Sequence, residues 1–318
     1  MTIRRRLTRL QDIAAVLLIA LICAATGCRA GKLPPEADKL TEPMKLISPL
    51  HHKLARPLPG DWLEQHYEAG QTFRQYVNFN PRTPTGRRNI IYIQPLGDFT
   101  DTQRSIVNIT ADFMRRFYSV PVKVLEDIPL SIIPESARRV HPEWGVKQIL
   151  STYVLDNVLK PRLPKDAAAC IAFTASDLWP GEGWNFVFGQ ASLLGRVGVW
   201  SIHRYGNPEK SDEHFRRYLL RTLKVAVHET GHMFSIEHCK RYECGMCGSN
   251  HLAETDRHPL WFCPECTAKV CWATETDPLK RYKDLSEFCQ TNSLVPESEF
   301  YRRSAELIEH GRSEFEDK

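Results

Sequence analysis

The 318-residue sequence has no apolar run long enough for a comfortable membrane-crossing helix. Its main candidate, residues 13–23, falls well short of the roughly 20 residues such a helix needs. Net charge is also scarce. The formal total is +4, and residues 1–27 supply most of it through Arg4, Arg5, Arg6 and Arg9 against Asp12. Beyond them 38 basic and 37 acidic residues nearly cancel. Nothing there advertises a partner with a phosphate backbone, so nucleic-acid binding is not expected. Internal repeats and low-complexity blocks are missing too. At 42% hydrophobic and 25% charged residues the composition excludes a disordered chain, and the length allows one or two domains.

What is present begins with an export pattern. RRRLTR at residues 4–9, the apolar stretch 13–23 and small residues after it describe a secretory signal over residues 1–27. The ending Ala25-Thr26-Gly27-Cys28 resembles a bacterial lipobox, in which the cysteine becomes the lipidated first residue. Residues 28–87 then read as a tether and N-terminal extension, with Pro34, Pro35, Pro43, Pro49, Pro57 and Pro59 near its start. The expectation is an exported lipoprotein, held at the periplasmic or extracellular face of a membrane through Cys28.

The folded part is expected over residues 88–300, with a charged tail at 301–318. Strands are predicted at residues 89–95, 120–125, 167–175, 184–188 and 197–205. Helical spacing appears at 102–118, 146–159 and from Ser211, a plausible N-cap, to about Phe234. Strands alternating with helices argue for an α/β (α+β) fold, a mixed sheet with helices packed on it.

On that last helix stands His228-Glu229-Thr230-Gly231-His232, the HExxH pattern. Histidines at i and i+4 share one face and can bind a single zinc ion, with the intervening Glu229 beside a metal-held water. His238 follows at HExxHxxxxxH. Three neutral imidazoles leave a tetrahedral zinc one open position, the mark of a catalytic site. Seven of the ten cysteines, Cys239, Cys244, Cys247, Cys263, Cys266, Cys271 and Cys289, crowd the following stretch. Spacing alone favours a zinc-ribbon quartet of Cys244, Cys247, Cys263 and Cys266. Cys271 and Cys289 are left over and could form a disulfide.

The stretch HETGHMFSIEHCKRYECGMCGSNHLAETDRHPLWFCPEC, from His228 to Cys266, resembles the archaemetzincins of the metzincin clan. So do DLWPGEGWNFVFGQASLLGRVGVWS at 177–201 and IIYIQPLG at 90–97. The resemblance implies a zincin-like twisted mixed sheet with an active-site helix and a zinc-braced C-terminal subdomain. It implies two zinc ions per chain, a catalytic one on His228, His232 and His238 and a structural one on Cys239, Cys244, Cys263 and Cys266. Met246 would be the methionine packed beneath the histidines. The metzincin pattern has glycine where this chain has Ser235, a position suited to positive φ.

The reaction implied is peptide-bond hydrolysis of a peptide or protein substrate, with Glu229 as general base. Residues 184–205 would supply either an edge strand that pairs with the substrate or an inner strand. The other reading is a non-catalytic, membrane-tethered zinc protein, a peptide-binding or scaffold module whose site Ser235 has degraded. For the export pattern, Cys28→Ser should move the protein from the membrane to the soluble fraction or block its maturation. Unchanged fractionation and gel mobility would contradict the lipobox reading.

Overall fold

In the computed structural model, which describes residues 33–316, the segment expected to be a tether is folded from Pro35 onward. The signal stretch and Cys28 lie outside the described residues. Helix α1 (Thr41–Ile47) buries Met44 and Ile47, and α2 (Phe73–Asn78) buries Phe73, Tyr76 and Val77. Thr72 and Gln75 close α2 with a capping box, satisfying N–H groups that a helix start leaves unpaired. The tether reading fails because the apolar residues between the prolines are too few to show a period, yet enough to pack on later parts of the chain.

The central sheet is built from β1 (Ile90–Pro95), β2 (Val122–Val124), β5 (Ala167–Thr174), β7 (Gly189–Ser192) and β8 (Val197–Ser201). Its order is β2-β1-β5-β8-β7; the first four strands are parallel and β7 runs antiparallel at the edge. Every residue of β5 is buried, as its near-continuous apolar run requires of a strand covered on both faces. A smaller sheet joins β3 (Arg138–Val140), β4 (Lys147–Leu150) and β6 (Asp177–Trp179).

Two expectations about this region need correction. Residues 147–150, read as the start of a helix, form β4, and helix begins only at Ser151. Buried Gln148 donates to Asp177 Oδ2 (2.7 Å) and to the Asn185 carbonyl, a pairing with residues about thirty positions on that helical spacing cannot reveal. Residues 184–188 make only an isolated bridge, Val187 to Leu178, and the edge strand starts at Gly189. A Cβ there would stand 2.5 Å from the Trp200 ring, which is why the strand needs glycine at its first residue.

Helix α3 (Asp101–Tyr118), also started by a capping box (Thr100 with Gln103), packs beside α4 (Asp212–Met233). Ser211 caps α4 as expected, accepting from His214 N–H. The α4 side of β8 is so close that a Cβ on Gly198 would meet the Met233 methyl at 2.7 Å. The other side of the sheet packs on Val154, Leu155, Val158 and Leu159 from the helical turns after β4.

Beyond α4 come α5 (Leu252–Arg257), α6 (Pro264–Ala273), α7 (Pro278–Thr291) and α8 (Val295–Glu316). The supposed charged tail from residue 301 is part of α8. Tyr301, Ser304, Ala305 and Ile308 are buried on a face that recurs every three to four residues, and the charged residues lie between them. Cys271 and Cys289 are separate buried thiols with no disulfide.

Candidate metal centre

Helix α4 carries His228 and His232 one turn apart, and their Nε2 atoms stand 3.0 Å from each other. His238 joins them, the three rings offering ligand atoms all within 4.8 Å. In each ring the other nitrogen is already engaged. His228 Nδ1 lies 2.9 Å from the Gly245 carbonyl, His232 Nδ1 2.7 Å from the Ile236 carbonyl, and His238 Nδ1 2.8 Å from Glu68 Oε1. A carbonyl oxygen only accepts, so Nδ1 of His228 and His232 carries the proton and Nε2 keeps its lone pair. Two such lone pairs at 3.0 Å repel unless a cation lies between them. The donor set therefore fits zinc.

Burial pushes both α4 histidines down to about 3, with neighbouring histidines adding to the effect, so they are neutral as metal binding requires. Burial pushes the Glu229 carboxyl above its ordinary value, partly offset by His232 and His238. Glu229 and His228 line a cavity of about 90 Å³ with Phe188, Thr255 and His258.

The third histidine arrives through a sharp turn. Ser235 adopts φ 66°, the left-handed conformation for which glycine is the usual residue, at a cost of about 1–2 kcal/mol. Its Oγ accepts from Arg82 N–H (3.0 Å) and its carbonyl from Gln71 Nε2 (3.2 Å). Ile236 N–H closes on the Gly231 carbonyl (3.0 Å). The serine makes the turn that the glycine of the metzincin pattern makes, and the degraded-site reading is not favoured.

Met246 is fully buried against α4. A Cβ on Gly231 would come 2.7 Å from its sulfur, so the glycine inside HExxH is what lets the methionine approach. Next to it Cys239, Cys244, Cys263 and Cys266 bring four buried sulfurs within 4.8 Å of one another. The cysteine adjoining the third histidine is thus in the cluster. Cys247, which spacing alone preferred, points its thiol at the Tyr242 carbonyl (3.3 Å). Hydrogen bonds from neighbouring thiols pull the Cys239 thiol well below its ordinary value. Tight packing of four thiols is the arrangement that a closed, four-thiolate zinc site needs.

Glu68 was not anticipated. It sits 170 residues before His238 in the segment read as a tether and N-terminal extension, and no local pattern announces it. Its Oε1 also accepts from Trp62 Nε1 (2.9 Å), and the Trp62 ring meets the His238 ring edge-on at 5.2 Å. Burial raises the Glu68 carboxyl, but the bonds from His238 and Trp62 prevail and hold it below its usual value. A carboxylate on the far nitrogen of a ligating histidine fixes the ring and raises its basicity.

A helix-borne HExxH with a third histidine brought back by a tight turn defines a metzincin-type zinc metallopeptidase. The sequence model of Peptidase family M54 matches residues 145–271. Archaemetzincin-2 of Homo sapiens is 34% identical over 289 residues, covering 81% of this chain and 80% of the relative. The archaemetzincin of Archaeoglobus fulgidus is 32% identical, covering 57% and 98%. Among solved structures, that protein complexed with malonate covers 57% of this chain and 99% of its own at 31% identity and a TM-score of 0.43. The archaemetzincin of Methanopyrus kandleri covers 60% and 98% at 28% identity and a TM-score of 0.48. The chain belongs to the archaemetzincin family and is a zinc-dependent metallopeptidase.

Glu68→Gln keeps an acceptor near His238 but removes the charge. Loss of such a partner typically costs about 10–100-fold in metal affinity, so chelator competition should show weaker zinc binding. Unchanged affinity would mean that Glu68 only packs there.

Proposed function

We propose that His228, His232 and His238 hold the catalytic zinc and that Glu229 is the general base of peptide hydrolysis. Cys239, Cys244, Cys263 and Cys266 hold a second, structural zinc. The observation that carries the reading is the convergence of three Nε2 atoms whose partner nitrogens are all engaged elsewhere. When bound, the catalytic ion supplies a Lewis acid for the scissile carbonyl and makes a water molecule more acidic.

The protein's own residues do the rest. Glu229 accepts the proton of the attacking water and later delivers it to the leaving amine. Its burial favours this double role, because a raised carboxyl pKa lies nearer working pH. The outer edge of β7 has no strand partner among the described residues, so an extended peptide can add there as a further strand. The cavity lined by Phe188, Glu229 and His258 then receives a side chain next to the scissile bond. We further propose that the protein acts on peptides outside the cytoplasm, held to a membrane by a lipid on Cys28. No described helix is long and apolar enough to cross one.

Glu229→Gln tests the chemistry. Zinc content and thermal stability should match the parent, while peptide turnover should fall about 10²–10⁴-fold. Equal turnover at equal zinc content would remove Glu229 from the mechanism.

A further inference from the structure

An open cavity of about 620 Å³ lies at the C-terminal end of α4, walled by Arg82, Arg87, Arg88 and Arg196 with Leu194 and Phe234. Among the described residues no carboxylate lines it. Elsewhere arginines meet acids: Arg204 pairs with Asp177, Arg221 with Asp256 and Arg257 with Asp61. Here Arg82 Nη1 donates to the Leu193 carbonyl (2.8 Å) and Arg196 Nη1 to the Ala167 carbonyl, both neutral acceptors. Among the described residues the side chains of Arg87 and Arg88 are exposed and make no ion pair. Burial, with Arg88 and Arg82 adding to it, pushes the Arg196 guanidinium below its ordinary value, so the positive charges reinforce one another. In a chain whose charges otherwise nearly cancel, this concentration has no counter-charge among the described residues.

One strand leads from the cavity to the reaction site. Phe188, just before β7, lines the cavity that holds His228 and Glu229. Leu194 and Arg196, just after β7, line the arginine cavity. Four residues of strand separate the two ends, a span of about 14 Å at roughly 3.4 Å per residue. Arg82 N–H also binds Ser235 Oγ, fixing the arginine wall to the turn between His232 and His238.

We propose that the arginine-walled cavity is a substrate subsite for acidic side chains, taken from the part of the peptide N-terminal to the scissile bond. This rests on the peptidase reading. A peptide laid antiparallel on the free edge of β7 runs from the arginines towards Glu229, which sets its N-terminal side in the cavity. At strand spacing the acidic residues stand about three to five positions before the cleaved bond. Guanidinium groups bind carboxylates as two-pronged, charge-assisted pairs, so the gain depends on salt.

The test uses two labelled peptides, identical except for three consecutive Glu or three Gln at those positions. Their binding is measured by fluorescence anisotropy on zinc-loaded Glu229→Gln, and their cleavage on the zinc-loaded parent. The Glu peptide should bind at least about tenfold tighter at low salt, and kcat/KM should favour it similarly. Arg87→Glu with Arg88→Glu, two exposed positions, should erase or invert both ratios while leaving zinc content and melting temperature intact. Equal binding of the two peptides, or a preference untouched by the double substitution, would overturn the proposal. Cleavage of neither peptide despite preferential binding would instead overturn the peptidase reading, and the subsite role with it. Arginine-dependent binding to phosphatidylglycerol vesicles without peptide discrimination would reassign the cavity to a membrane surface.

Discussion

At Ser235 the backbone enters the left-handed region directly after the active-site helix, and hydrogen bonds from Arg82 N–H, Gln71 Nε2 and Ile236 N–H hold the turn. The geometry that follows depends on this reversal. It brings the Ile236 carbonyl back onto His232 Nδ1, which orients that ring. It then presents His238 and Cys239 as consecutive residues. One joins the histidine cluster and the other the thiol cluster. A zinc in either cluster stiffens the chain step that supplies the other.

Residues 61–82 act as an outer brace on this turn. Glu68 and Trp62 set His238, Gln71 and Arg82 hold Ser235, and the Tyr76 hydroxyl donates to the Phe234 carbonyl at 2.8 Å. The brace is fastened in turn to the thiol subdomain: Phe73 N–H binds Glu265, and buried Lys269 reaches the Gln71 carbonyl. A serine can therefore hold a conformation that glycine adopts without strain, because the cost is spread over contacts from a distant part of the chain.

How far the sequence could be read follows the range of the interactions. His228, Glu229 and His232 share one helix, and the α4 periodicity placed them. Spacing alone favours a zinc ribbon with Cys247, whereas it is Cys239 that joins the sulfur cluster. The parallel core strands were legible as apolar runs, whereas β4 was hidden by a pairing with β6 through Gln148 and Asp177. Glu68 and Arg82 are illegible because their partners lie more than 100 positions away and each residue looks ordinary in its local setting. Ser235 was visible as a departure from pattern, but only the contacts of Arg82 and Gln71 show how the chain accommodates it.

We propose that one turn feeds two adjacent metal sites. An anomalous difference map at the zinc edge, from crystals of the zinc-loaded protein, tests it most directly. Two peaks are expected: one about 2.0–2.1 Å from Nε2 of His228, His232 and His238, the other about 2.3 Å from the sulfurs of Cys239, Cys244, Cys263 and Cys266. A single peak, or a second peak bonded to Cys247 with Cys239 outside its reach, would contradict the account.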